Sequence, residues 1–309
     1  MKIAVVGSYG VGLTMRVPKA PAPGETVSDG AFDEGPGGKG SNQAIGAARL
    51  GAEVSFLTAV GDDDYGRAAR ALWEREGVDA GQVVTGRAAT MVGFILVEPS
   101  GENRIAIAPG ALDELTADSV EAFRPAIAEA DVLVVSMEIP AAAVSAALRV
   151  GREAGTTTLL NPAPARPLAE GDWPLIDLLT PNQTEAPVLL GLPEGHGRTD
   201  AELVAALRAR TGGSVVLTRG GAGALVADAG QDGDRSAEVP ARQAERVVDT
   251  TGAGDSFTAA LAVAVAGGTE LTTAVRFAAE AGAHTVSLAG VIPALPTRAH
   301  LKTEIGTPR

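Results

Sequence analysis

Apolar and polar residues fall in blocks along this chain, and the block lengths predict its elements. Residues 3–6 are a short apolar run that stops at Gly7-Ser8, the pattern of a strand buried on both faces. Residues 54–60 repeat that pattern. Between them, 21–24 reads as a turn, 25–33 as an extended excursion, and 35–40 as a Gly-rich loop. Residues 41–50 read as a helix stopped by Gly51, and 65–76 as a helix ending at Gly77. Runs at 91–97 and 104–108 flank the polar segment 99–103, a hairpin pattern. From Leu115 the rhythm is regular. A helix at 116–129 precedes a strand at 132–136, and a helix near 141–153 precedes a strand at 157–161. A short helix leads to a strand at 178–181, and a helix at 200–210 leads to a strand at 215–218. A hairpin over 223–240 follows, then helices at 256–266 and 270–288 and a helical tail at 297–304.

Apolar strands alternating with helices imply an α/β fold with a mostly parallel sheet covered on both faces. Ligands in such sheets sit at the carboxyl ends of the strands. Gly7-Ser8, Glu138, Asn161, the run 182–185 and the run 218–221 each fall just past a predicted strand, so they are expected on one edge. The extended pairs near 26–34 and 90–108 break the rhythm and are expected to form a small separate sheet.

Composition narrows the function. A chain of 309 residues suits one large α/β domain or two smaller ones, and 45% hydrophobic content supplies a sizeable core. A net charge of −13 argues against nucleic acid or an anionic membrane as partner. There is no cysteine, which removes disulfides and thiolate chemistry and fits a reducing, cytoplasmic compartment. The first apolar run is too short for a signal peptide, and no stretch reaches the ~20 apolar residues of a membrane span. His196, His284 and His300 show no metal-ligand spacing and receive no catalytic role.

The richest chemistry lies in Asp249-Thr250-Thr251-Gly252-Ala253-Gly254-Asp255, which runs into an apolar helix. Its glycines allow a tight turn and close approach of a ligand. The first amides of a helix lack internal partners and sit at the positive end of the dipole, so they hold phosphate well. Asp255 beside a substrate hydroxyl would take its proton, which makes one stretch both anion cradle and base. The plain alternative is a helix cap. Gly37-Gly38-Lys39-Gly40-Ser41 lacks the spacing of a Walker loop yet suits a polar ligand held by backbone amides. Asn182 and Glu185, three apart, suit either a hydrated Mg²⁺ near phosphates or a capping box. Thr218-Arg219-Gly220-Gly221-Ala222-Gly223 suits a nucleotide passing close by, or a hairpin turn.

Taken together these stretches resemble the ribokinase family of carbohydrate kinases. The carriers are Pro23-Gly24-Glu25-Thr26, Gly37-Gly38-Lys39-Gly40-Ser41-Asn42-Gln43-Ala44, Asn161-Pro162-Ala163-Pro164-Ala165, Thr180-Pro181-Asn182-Gln183-Thr184-Glu185 and the 249–255 run, in that order. The resemblance implies a single three-layer α/β/α kinase domain over 1–309, with a β-sheet lid from about 10–17, 26–35 and 90–108 that often forms a homodimer interface. It implies ATP-dependent phosphorylation of a sugar hydroxyl, with Asp255 as base and Gly252, Ala253 and Gly254 as anion hole. Gly37, Gly38, Lys39, Asn42 and Glu138 would face the sugar. Asn182, Thr218, Arg219, Gly220, Gly221, Gly223 and Gly254 would meet the nucleotide, with Glu185 and Asn182 ordering Mg²⁺. Asp249, Thr251, Thr285, Leu288 and Gly290 match a monovalent-cation site for K⁺, although Ala294 replaces the family's later serine ligand.

One departure stands out. Ribokinases usually continue Gly-Ser-x-Asn-x-Asp after the first strand, and that Asp grips two sugar hydroxyls, whereas here Gly10 and Gly12 hold those places. This departure from the resemblance implies an acceptor that differs from ribose, bulkier or less hydroxylated at that end, in space opened by the glycines, with Tyr9, Met15 or Arg16 as new contacts. The alternatives are a nucleoside kinase on the same fold and a non-catalytic sugar or nucleotide sensor.

Overall fold

The computed structural model describes residues 1–100, 102–230 and 236–306. Gly101 of the predicted polar turn, 231–235 of the predicted hairpin, and 307–309 lie outside the described residues. The chain opens with β1 (Lys2–Val6), then leaves for β2 (Gly10–Arg16) and β3 (Ala31–Gly37). It returns through α1 (Lys39–Arg49) to β4 (Glu53–Leu57) and β5 (Ala59–Gly61), followed by α2 (Asp64–Arg75), β6 (Val78–Asp79) and β7 (Val84–Gly86). The hairpin β8 (Val92–Val97) and β9 (Asn103–Ala108) comes next. Then follow α3 (Ala117–Ala122), α4 (Arg124–Glu129), β10 (Val132–Ser136), α5 (Ala141–Ala154) and β11 (Thr157–Asn161). The second half adds β12 (Leu178–Leu179), α6 (Glu185–Leu189), α7 (Asp200–Thr211) and β13 (Ser214–Thr218). It closes with β14 (Ala224–Ala227), β15 (Ala237–Val239), α8 (Ala253–Ala266) and α9 (Leu271–Thr285).

The main sheet runs β15-β14-β13-β12-β11-β10-β1-β4-β6 among the described residues. It is parallel from β6 to β13 and antiparallel at β14 and β15. Side chains alternate across a strand, so each apolar run feeds two cores. Ile3, Val5, Val132 and Val134 pack against α1, α8 and α9. Ala4, Val6, Leu133 and Val135 pack with α5 and α7 on the other face. That double burial is why these strands read as unbroken apolar runs. No helix among the described residues is long and apolar enough to cross a membrane.

The separate small sheet is present, with order β3-β2-β8-β9. Its boundaries differ from expectation. The second lid segment, expected at 26–35, is β3 at 31–37, so Gly35-Pro36-Gly37 is strand rather than loop, paired with Gly12, Val11 and Gly10. Proline fits there because β3 is an edge strand and needs no donor on its outer side. The predicted strand 54–60 breaks at Thr58, whose carbonyl accepts from Val84 N, and β5 pairs with the unforeseen β7 instead. The predicted helix 116–129 splits at Phe123, where Pro125 enters the first turn of α4 and has no N–H to continue α3. The tail at 297–304 shows only a 3₁₀ turn at Arg298–His300.

Candidate active site

Parallel register brings the strand ends together. Ser136 lies beside Asn161, Leu160 beside Leu179, and Asn182 bridges to Thr218. The residues expected on one edge are therefore on it. α1 starts there after Gly38, whose φ of 90° suits glycine and whose missing Cβ would lie 2.5 Å from Tyr9 Cα. The start of α1 is held from below: Ser41 N donates to Ser8 O at 2.9 Å, and Trp73 Nε1 donates to Ser41 Oγ at 2.9 Å. Trp73 itself is wedged edge-on between Tyr9 and Phe56.

α8 begins three residues earlier than predicted, after Gly252 with φ of 79°. A Cβ there would meet Val291 Cγ1 at 2.7 Å. Ala253 N donates to Thr250 O at 3.3 Å, while the amides of Gly254 and Asp255 have no carbonyl one turn back to meet. Asp255, 8% exposed, sits in this first turn. Asn42 Nδ2 donates to its Oδ2 at 2.7 Å, and Gln43 Nε2 to its Oδ1 at 3.2 Å. Burial pushes the Asp255 carboxyl up, against the pull of Lys39, Asn42 and Gln43, and Glu138 adds to the rise. Glu138 accepts from the Ser8 hydroxyl and, at 3.2 Å, from Lys39 N. Arg166 clamps the carbonyls of Met137 and Ile139 on either side of it, a contact the sequence does not announce.

The run 182–185 takes the capping geometry. Asn182 Oδ1 accepts from the amides of Thr184 and Glu185, and Asn182 N donates to Glu185 Oε2 at 2.9 Å. Burial raises the Glu185 carboxyl, and the Lys39 charge opposes the rise. A cap and a ligand are compatible uses of the same pair, because Glu185 also shares the field of Lys39 and Asp255. Gly220, Gly221 and Gly223 form a turn closed by Arg219 N donating to Gly223 O at 2.7 Å. The Arg219 side chain turns to Glu238, Asp200 and the Ala222 carbonyl.

Asp249 joins two loops: its Oδ1 accepts from Thr251 N at 2.9 Å and its Oδ2 from Gly290 N at 3.2 Å. Burial works against its charge, yet these bonds hold its pKa below the usual value. Thr285 is buried with its hydroxyl 3.3 Å from the Ala294 carbonyl, and Leu288 N donates to Thr285 O. No cluster of three acidic or histidine ligands occurs among the described residues.

At the two glycines the structure parts from the sequence reading. A Cβ on Gly10 would meet Met91 Cε at 2.3 Å, so Met91 fills that space and no room opens. Gly12 does have room, with Ile95 Cδ1 at 3.6 Å and Gly35 O at 3.8 Å. Tyr9 is buried, with its ring edge-on to Trp73. The sequence also missed a pairing of histidines: His284 and His300 stack with centroids 4.4 Å apart. They line a cavity of about 570 Å³ with Arg242, Arg246, Glu280 and Lys302, which contains neither Asp255 nor Lys39.

The Gly-rich start of a helix, on the carboxyl edge of a parallel sheet, is an arrangement suited to a phosphate-bearing ligand. The pfkB family carbohydrate kinase profile matches residues 1–298, and the chain belongs to that family. It is 36% identical to the ribokinase of Bacillus subtilis over 298 residues, covering 96% of each chain. It is 34% identical to a deoxyribokinase of Salmonella typhi over 264 residues, covering 83% of each. The structure of Arabidopsis thaliana ribokinase complexed with ribose and ATP superposes with a TM-score of 0.89 at 29% identity, covering 96% of each chain.

Proposed function

We propose that this chain transfers the γ-phosphoryl of ATP to a hydroxyl of ribose or a related small carbohydrate. The observation that carries this is the buried Asp255 carboxylate, held by Asn42 and Gln43 at the N-terminus of α8. Asp255 takes the proton of the attacking hydroxyl. The free amides at the start of α8, in the turn after Gly252, meet the charge that develops on the transferred group. Lys39 adds a cation whose charge acts on both Asp255 and Glu185. Asn42 Oδ1, buried and without a partner among the described residues, supports a sugar hydroxyl donating there. Thr218, Gly220, Gly221 and Gly223 line the nucleotide beside Asn182.

The donor sets fit both metals. One buried carboxylate beside an amide suits Mg²⁺, which keeps waters and phosphate oxygens around it. Bound through Asn182 and Glu185, Mg²⁺ would neutralise phosphate charge. Thr251 and Gly290 are bonded to Asp249, and Asp249 N donates to Val286 O in the segment that carries Thr285 and Leu288, so these five residues would supply hard oxygens for K⁺, which would fix the turn before Gly252. The reaction belongs in the cytoplasm, where ATP is supplied.

The test is ADP release with Mg-ATP against pentoses, deoxy sugars, hexoses, polyols and nucleosides, with and without K⁺. Saturable turnover on a sugar, increased by K⁺, is the expected result. Silence across the panel in a protein that binds ATP would overturn it in favour of a sensor.

The lid also closes a dimer in this reading. By strand register, Phe32 and Phe94 share one face of the small sheet, while Ile105 and Ile107 share the other with Gly12 and Ile95. Phe32 and Phe94 are exposed, and so are Ile105 and Ile107. A sheet apolar on both faces needs two covers. The Gly12 face covers the sugar and the Phe94 face meets a second copy. Sedimentation of the chain is expected to give a dimer, and Phe94→Asp a monomer.

A further inference from the structure

The stretch Asn161-Pro162-Ala163-Pro164-Ala165 has no task in this account, yet its first residue is tied to the base. Gln43 Nε2 donates to Asn161 Oδ1 and to Asp255 Oδ1, each at 3.2 Å. An amide nitrogen carries two hydrogens, so both are used. Asn161 Nδ2 in turn donates to the Thr180 carbonyl at 3.4 Å. A backbone carbonyl only accepts. It therefore decides which end of the Asn161 amide donates, and Asn161 Oδ1 then decides the same for Gln43. Turning either amide over would set oxygen against oxygen. Gln43 is 1% exposed, and its Oε1 has no partner among the described residues. Leaving a buried acceptor unpaired is costly, and an amide placed only to fill the core would not adopt that orientation.

We propose that Asn161 and Gln43 form a positioning relay for Asp255, in which the polarity set at the Thr180 carbonyl passes through two amides and presents a fixed N–H to the base. The proposal rests on the reading of Asp255 as base. It gives the Asn161 stretch a function and separates Gln43 from its neighbour: Asn42 serves the sugar side, Gln43 the carboxylate.

Three charged groups act on Asp255 from packed elements: Lys39 at the start of α1, Glu138 after β10 and Glu185 at the start of α6. With these unchanged, loss of the Gln43 donor disfavours the ionised form and moves the Asp255 carboxyl further up. Gln43→Met removes the donor and keeps an unbranched side chain. At neutral pH its kcat is expected to fall about tenfold, the effect of one hydrogen bond to a charged group, with the KM for ATP unchanged. The acid limb of kcat moves to higher pH, so the deficit narrows as pH rises. A deficit of the same factor at every pH would mean a structural role and overturn the proposal. Asn161→Ser, one step from the base, shifts the limb the same way by less. It decides the matter if Gln43→Met does not fold, and an unmoved limb in folded Asn161→Ser overturns the relay. Asp255→Asn separates the two readings. If that variant turns over normally, the base assignment and the relay both fall; if it is inactive and the limbs do not shift, only the relay falls.

Discussion

Asp255→Asn is expected to cut turnover by about 10²- to 10⁴-fold, the usual contribution of a positioned general base. Nucleotide binding should survive, because the amides at the start of α8 and the turn at 220–223 do not depend on that carboxylate. The substitution keeps the side-chain shape at a buried position: the new amide oxygen accepts from Gln43, and its NH2 faces Asn42, whose amide must turn over to accept with the Oδ1 that otherwise has no partner among the described residues. Turnover with saturating Mg-ATP and sugar, beside calorimetric ATP binding, checks both halves. Retained turnover would remove the base from the mechanism.

Stability should move the other way. Burial raises the Asp255 carboxyl in the folded chain. A carboxyl with a raised folded pKa stabilises the fold while protonated, below its unfolded value near ~4, and that contribution disappears as pH rises through the folded pKa. At neutral pH the ionised group therefore opposes folding. Asp255→Asn should melt at the same or a higher temperature than the parent protein at neutral pH, while losing activity. That opposition between stability and activity is expected of a group buried for chemistry.

The parallel sheet was legible because each strand is buried twice and so reads as an apolar run of its own length. The carboxyl edge followed, since the polar residues come straight after those runs. What local pattern does not contain is the partner. Gln43 and Asp255 are 212 residues apart, and nothing near either announces the bond. Met91 fills the space beside Gly10 from a different strand-end segment, so a glycine that reads as an opening is a packed contact. His284 and His300 read as scattered because α9 and the chain after it fold back on each other. β6 has two residues and β7 three, too few to show a period. The break at Phe123 was visible in Pro125, and the helical rhythm on either side overrode it.

Gly12→Asp is expected to raise affinity for ribose by about tenfold or more. A carboxylate that accepts from a vicinal diol makes charge-assisted bonds of about 1.5–3 kcal/mol each, and 1.4 kcal/mol is tenfold in affinity. The two glycines are not equivalent sites for this experiment. At Gly12 a Cβ finds only ordinary contacts, with Ile95 Cδ1 at 3.6 Å and Gly35 O at 3.8 Å, so the first atom of an Asp side chain enters the strand without a clash. At Gly10 a Cβ would need Met91 to move, since Met91 Cε lies 2.3 Å away and its carbonyl 3.0 Å. Gly10→Asn should therefore disturb the junction of β2 and β8, and restore no grip by itself. If the natural acceptor lacks a hydroxyl at that end, Gly12→Asp should lower the KM for ribose while raising it for that acceptor, because the new carboxylate would be desolvated without a donor. A ribose KM unmoved by Gly12→Asp would mean that the lid does not bring this strand over the sugar. The specificity would then lie with Asn42 and Glu138 on the body of the fold.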